Sequence, residues 1–293
     1  MARRSCFPPA GRGQPPWMNA DSSSVLITGA STGIGHSTAT RLAKAGWRVF
    51  AGVRDTAGAR PGGVEAVELD VTSADSIASA LEHVRERTDG RLDALVNNAG
   101  IPVAGAVETV PVEDFRELIE TNLIGSFAVT RAFLPLVRHA RGRIVFVGSL
   151  GGRVAFPYAS AYHASKFGIE GLAESLRSEM RPLGVSVSVI EPATMATEIW
   201  GKGREQLSAV RAALTPEQRE VYGEALEGFD QTLASADEDG EDPGEVAETI
   251  EKALTASSPD DRYLVGRGAR AVTLLEPLLP SAVFDRVKKR VAS

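Results

Sequence analysis

The chain has 293 residues, of which 43% are hydrophobic and 24% charged, the balance of a water-soluble globular protein. A formal net charge of −6 offers no basic stripe to nucleic acid, and the single cysteine, Cys6, excludes an intrachain disulfide framework and fits a reducing, cytoplasmic location. No apolar run approaches the roughly 20 residues that a membrane-crossing helix needs.

Residues 1–23 are rich in Pro, Gly, Ser and Arg, carry no apolar periodicity and lack the apolar stretch of a signal peptide. A disordered tail is expected there, with Met18 as a second candidate start. Residues 24–293 then alternate strand-like and helical patterns. SVLITGA (24–30) is a strand, followed by a glycine-rich turn and the helix HSTATRLAKAG (36–46), stopped by Gly46. WRVFAGVR (47–54) and VEAVELDVT (64–72) are strands. SADSIASALEHVRERTDG (73–90) opens on capping residues and places Ile77, Ala80, Leu81 and Val84 at helical spacing. LDALVNNAG (92–100) is a strand, residues 111–140 read as one long helix, and GRIVFVGS (142–149) is a strand buried on both faces. A helix over 162–184 leads to the strand VSVSVIEPA (185–193).

Residues 194–244 break this rhythm. They are polar, helical and interrupted, with few core-like positions, and are expected to form a mobile lid over a site. A helix (245–258), a short strand RYLVG (262–266) and an amphipathic tail (268–293) follow. Such alternation predicts an α/β protein with a Rossmann-type, doubly wound parallel sheet, helices on both faces, in a single domain.

Candidate site residues gather where the strands end. TGASTGIG (28–35) joins the first strand to the first helix. Gly29, Gly33 and Gly35 would let the backbone at Ser31, Thr32 and Ile34 approach a pyrophosphate at the helix N-terminus. The second strand ends at Val53 and Arg54, beside the expected ribose. With no acid at Val53 and a guanidinium at Arg54, NADP(H) is expected in preference to NAD(H), which remains usable. Asp55 is a complication, since its carboxylate would pair with Arg54 or oppose the phosphate, and Thr32 supplies no second basic anchor. Asp70 would meet an adenine amino group or cap the next helix. Asn98 and Gly100, in NNAG, bind cofactor or tie strand ends together.

Ser149 ends the fifth strand, and Tyr162 and Lys166 lie one turn apart on one face of the next helix. A cationic lysine and an oxidised nicotinamide both favour phenolate, so Tyr162 would exchange a proton with an alcohol or carbonyl held by Ser149.

With Asn122 in TNLIGS between NNAG and Ser149, this set resembles the short-chain dehydrogenase/reductase family over roughly residues 24–200. The resemblance implies a catalytic tetrad of Asn122, Ser149, Tyr162 and Lys166. In it Asn122 holds a water in a proton relay through Lys166, and Lys166 also binds the nicotinamide ribose. It implies cofactor contacts at Pro192 and Thr197, although Ala193 stands where relatives have glycine, a substitution that would matter if the turn needs positive φ. Residues 149–180 and 189–200 are most similar to the steroid and retinoid branch (17-beta-hydroxysteroid dehydrogenase-like) and its bacterial relatives, which implies a small apolar alcohol or carbonyl substrate. A homodimer or homotetramer through helices starting near Asp114 and Tyr158 is also implied. For the tail, packing on the protein is favoured over a membrane surface, because Pro277 and Pro280 interrupt its apolar face. Two other classes compete: a catalytically silent dinucleotide-binding regulator or scaffold, and an epimerase or dehydratase. The intact tetrad argues against the first; the glycine spacing and the lack of a larger C-terminal domain argue against the second.

Overall fold

The computed structural model describes residues 23–57, 63–269 and Thr273. The tails expected over 1–23 and 268–293 lie almost wholly outside these residues. Seven strands, β1 (Ser24–Thr28), β2 (Arg48–Val53), β3 (Val64–Glu68), β4 (Ala94–Asn97), β5 (Arg143–Val147), β6 (Ser186–Pro192) and β7 (Arg262–Val265), form one parallel sheet in the order β3-β2-β1-β4-β5-β6-β7. The order reverses between β1 and β4, and it is beyond the carboxyl ends of the strands at such a reversal that these sheets hold ligands.

Side-chain alternation along the strands explains why the strands read as continuous apolar runs. Leu26, Phe50, Leu95, Ile144 and Phe146 point to one face, where α2 (Ala74–Arg87), α4 (Gly125–Ala140) and α5 (Ser160–Met180) cover them with Val84, Phe133, Val137 and Ile169. Val25, Ile27, Val49, Val96 and Val145 point to the other, under Leu42 of α1 (Gly33–Lys44) and Val246, Ile250 and Leu254 of α8 (Pro243–Thr255). Both faces of β1, β2, β4 and β5 are buried, so these central strands carry no alternating polar pattern. Gly46 follows α1 in the left-handed region with φ of 87°, the stop expected of it.

The long helix expected over 111–140 is three pieces. α3 (Val112–Ile119) passes through a π-helical segment, Glu120–Ile124, into α4. Such wide turns often mark functional positions, and Asn122 sits at the middle of this one.

Residues 194–244 also depart from expectation. They form two helices, α6 (Ile199–Ala212) and α7 (Pro216–Glu238), the second opened by a capping box between Thr215 and Gln218. Leu207, Leu214, Leu226, Phe229 and Leu233 bury one another and Ala104, with Tyr158 and Trp200 packed at the margin. The hairpin therefore has its own apolar core, and the expectation of few core-like positions is wrong. That removes the sequence argument for mobility. Gln206 ties α6 to the sheet side, accepting from the Ala104 N–H at 2.8 Å and donating to Asp114 at 3.0 Å.

Candidate active site

The glycine turn is built so that only glycine fits. Gly29 has φ of 63°, and a Cβ there would lie 2.8 Å from the Ala99 Cα. A Cβ on Gly35 would overlap the Gly29 carbonyl oxygen and come 2.5 Å from Asn98 Nδ2. Asn98 is what clamps this turn: its amide nitrogen donates to the carbonyls of Thr28 and Gly29, both at 3.0 Å. These bonds tie the ends of β1 and β4 together. The start of α1 is bare. Thr32 caps it without a side-chain bond, and no acidic residue stands in the first turn. A diphosphate suits such a terminus, since its charge meets unpaired N–H groups. Thr197 completes the cradle: a Cβ on Gly33 would be 3.3 Å from its Cγ2. Ser31 is exposed and Thr32 and Ile34 are half-buried along this turn.

Ala193 fits without strain, since among the described non-glycine residues only Asp89, Arg141 and Tyr158 have positive φ. Its N–H donates to the Val265 carbonyl at 2.8 Å, continuing the line from Pro192. Asp70 does not cap α2; Ser73 does, accepting from the Ser76 N–H. Instead Asp70 accepts from the hydroxyl and N–H of Thr72 at 2.7 and 2.9 Å, and these bonds, with Arg54 nearby, hold its carboxyl below the usual range. Gly100 lies against Asn122, a Cβ there being 3.3 Å from Asn122 Oδ1.

At the ends of β5 and α5 the structure brings Ser149, Tyr162 and Lys166 together. The Ser149 side chain lies near enough to the Tyr162 hydroxyl to favour its phenolate, and the Gly151 N–H donates to Ser149 Oγ at 3.0 Å. The Lys166 ammonium lies 5.7 Å from the centre of the tyrosine ring and donates to the Val147 carbonyl at 2.9 Å. Burial takes Lys166 down to about 8, opposed by the charge of Glu170. Burial also pushes the Tyr162 phenol up, with Ser149 opposing. In the protein alone, desolvation of the phenol therefore outweighs the opposing Ser149 hydroxyl.

Asn122 is buried and its side chain is fully engaged. It accepts from the Ile101 N–H at 2.8 Å and donates to the Ile101 carbonyl at 3.0 Å and to Ser165 at 3.2 Å. Sequence reasoning passed over His163, although it stands inside the YHASK motif. Its ring bonds the Gly151 carbonyl at 2.8 Å and accepts from the Phe156 N–H at 2.9 Å, fixing the loop that follows Ser149. It also passed over Glu170 and Glu191, buried behind Lys166; a carboxylate inside the apolar run VIEPA was the available signal.

The short chain dehydrogenase family profile matches residues 23–208. The mitochondrial D-beta-hydroxybutyrate dehydrogenase of Bos taurus is 37% identical over 265 residues, covering 83% of this chain and 76% of that protein. Retinol dehydrogenase 16 of Mus musculus is 37% identical over 273 residues, covering 89% and 86%. Among solved structures, a short-chain dehydrogenase from Streptomyces avermitilis superposes with a TM-score of 0.73 at 30% identity, covering 93% of this chain and 96% of that one. The glycine cradle, the parallel sheet and the extent of these matches lead to one conclusion: the chain belongs to the short-chain dehydrogenase family and is an NAD(P)-dependent oxidoreductase of that family.

Proposed function

We propose that the protein transfers a hydride between NADP(H) and a small apolar secondary alcohol or ketone, with Ser149, Tyr162 and Lys166 handling the proton. The observation that carries this reading is the Lys166 ammonium 5.7 Å from the Tyr162 ring, with Ser149 beside the same phenol, at the strand edge that also carries the glycine cradle. The bound dinucleotide supplies the hydride donor or acceptor; Gly29, Ser31, Thr32, Gly33, Ile34, Gly35, Asn98, Gly100, Pro192 and Thr197 would hold it, with Asp70 at the adenine and Lys166 at the ribose. Ser149 holds the reacting oxygen. Tyr162 removes or returns its proton, and the Lys166 charge stabilises the phenolate that results. The relay assigned to Asn122 falls to its main-chain carbonyl, since its side chain is committed to Ile101 and Ser165. That carbonyl accepts from Ser126 Oγ at 2.9 Å.

The preference for NADP(H) rests on Arg54, which is exposed just beyond the buried Val53 and close enough to Asp70 to lower its carboxyl. Asp55 accepts from the Ala57 N–H at 2.8 Å in a local turn. The expected kcat/KM favours NADP, and Val53→Asp/Arg54→Ile should move the ratio towards NAD by about tenfold or more, the worth of one charge-assisted contact. A wild type that prefers NAD, or a double variant without that shift, would defeat the assignment.

A small hydroxy acid is the second substrate reading, favoured by the likeness to the bovine D-beta-hydroxybutyrate dehydrogenase. For location we propose the cytoplasm, on the single cysteine, while noting that the bovine relative's name places that enzyme in mitochondria. Within the described residues no helix is long and apolar enough to cross a membrane.

A homo-oligomer also belongs to the proposal. Val112 and Phe115 of α3, Ile124, Phe127 of α4 and Phe167 of α5 are all exposed, at 40 to 56%. Water-exposed aromatic residues grouped on neighbouring helices mark an association surface. Sedimentation velocity should give a dimer or tetramer for the wild type and a lighter species for Phe127→Glu/Phe167→Glu; a monomeric wild type contradicts this.

A further inference from the structure

Lys166 is the cation on which the proposed proton chemistry depends, and it is buried. Behind it lies a set of charged side chains with no part in holding cofactor or substrate. Glu170 stands one turn further along α5, also buried. Its Oε2 meets Arg262 Nε of β7 at 3.1 Å, while its Oε1 is buried with no hydrogen-bond partner. That oxygen lies beside Gly148, where a Cβ would come within 3.2 Å of it. Gly148 directly follows Val147, whose carbonyl receives the Lys166 ammonium. Gly152 clears the same space, since a Cβ there would lie 2.9 Å from the Lys166 carbonyl oxygen and 3.4 Å from Glu170 Cγ.

The other charges around Glu170 come from four directions. Glu191 of β6 is fully buried, with Oε1 3.3 Å from Arg153 and 3.4 Å from Arg262. Arg153 follows the turn Leu150–Gly152, Arg262 belongs to β7, and Glu174 is exposed on the next turn of α5, 3.3 Å from Arg262. Glu170, Glu174 and Glu191 thus face Arg153, Arg262 and Lys166, three carboxylates to three cations. Deleting the charge of Glu170 leaves the lysine as surplus positive charge in a buried place, where the charged form is disfavoured.

We propose that Glu170 is a positioning residue whose fixed negative charge keeps Lys166 protonated, acting on proton transfer only through the lysine. The inference rests on the reading of Lys166 as the partner of Tyr162. Burial draws the lysine below its ordinary value, to about 8 even with the opposing charge of Glu170 in place. An opposite charge within about 4 to 6 Å is worth about 1 to 3 pH units, so loss of the Glu170 charge should take Lys166 lower still.

The chain contains six lysines, Lys44, Lys166, Lys202, Lys252, Lys288 and Lys289, so the side-chain carbons of lysine labelled with ¹³C can be followed individually by NMR. The full-length protein is titrated without cofactor, with the Lys166 signal assigned from Lys166→Arg. Glu170→Gln, which keeps the shape and an acceptor for Arg262, should lower the Lys166 midpoint by about 1 pH unit or more. Glu174→Gln, equally near Arg262 but exposed, should move it far less. Should Glu170→Gln fail to fold, Glu170→Asp draws the charge back and should lower the midpoint by a smaller amount. An unmoved midpoint in the folded variant, or an equal shift from Glu174→Gln, overturns the inference whatever happens to turnover. The alkaline limb of kcat/KM should move down with the midpoint. A midpoint that falls while the limb stays fixed leaves Glu170 in its role and overturns the catalytic reading of Lys166.

Discussion

Tyr162→Phe is expected to lower kcat by about 10² to 10⁴ while leaving the dinucleotide affinity nearly unchanged, because positioned acid–base groups have that worth. The substitution removes one oxygen and leaves the ring between Lys166 and His163, whose ring centre lies 6.0 Å away. The hydroxyl lies beside Ser149, and no part of the glycine cradle depends on it. The direction of the phenol's shift adds a pH signature. Burial holds Tyr162 above its ordinary value, so the phenolate that oxidation requires becomes more abundant as pH rises. Alcohol oxidation should therefore speed up with pH and carbonyl reduction, which uses the neutral phenol, should slow. Turnover above about a tenth of wild type in Tyr162→Phe would remove the tyrosine from the proton transfer.

The second large effect is expected at Gly35→Ala. One methyl group there overlaps the Gly29 carbonyl and presses on Asn98, which is itself held by two bonds to the same turn. Backbone cannot swing aside as a flexible side chain can, so α1 must tilt away from β1. Overpacking of this kind costs about 1 to 3 kcal/mol of stability. The diphosphate cradle would widen with it, and an affinity loss of at least about tenfold for either dinucleotide is expected, since 1.4 kcal/mol is one decade. Isothermal titration together with thermal melting separates the two effects. Unchanged affinity would show that the amides at the start of α1 do not carry the diphosphate.

Much of this architecture is legible in the sequence because a parallel sheet buried on both faces writes itself as short apolar runs, such as IVFV in β5, separated by helical periods. The glycine turn is legible for a similar reason, since close backbone approach admits one residue type. The π segment is not. Glu120–Ile124 contains ordinary helix-compatible residues, and the shift in hydrogen bonding around Asn122 leaves no compositional trace. The α6–α7 hairpin was hidden by its polar surface, although Leu226, Phe229 and Leu233 recur at helical spacing and would have revealed a buried stripe. The burial that raises the Tyr162 phenol is not legible either, because charge is visible in a sequence and burial depth is not. Glu170 and Glu191 lie on α5 and β6, and only the fold brings them to a shared arginine, Arg262.

The central claim is that Ser149, Tyr162 and Lys166 serve hydride transfer to or from a nicotinamide. Single-turnover absorbance at the nicotinamide band tests it most directly. Enzyme in excess over NADP or NAD is mixed with retinoid, steroid and short hydroxy-acid alcohols, and the reverse reaction is run with their carbonyl counterparts. The account predicts stoichiometric appearance or loss of reduced nicotinamide with at least one apolar pair in wild type, larger with NADP, and none on the same timescale in Tyr162→Phe. Tight dinucleotide binding with no absorbance change across both panels, or an equal change in Tyr162→Phe, would contradict it.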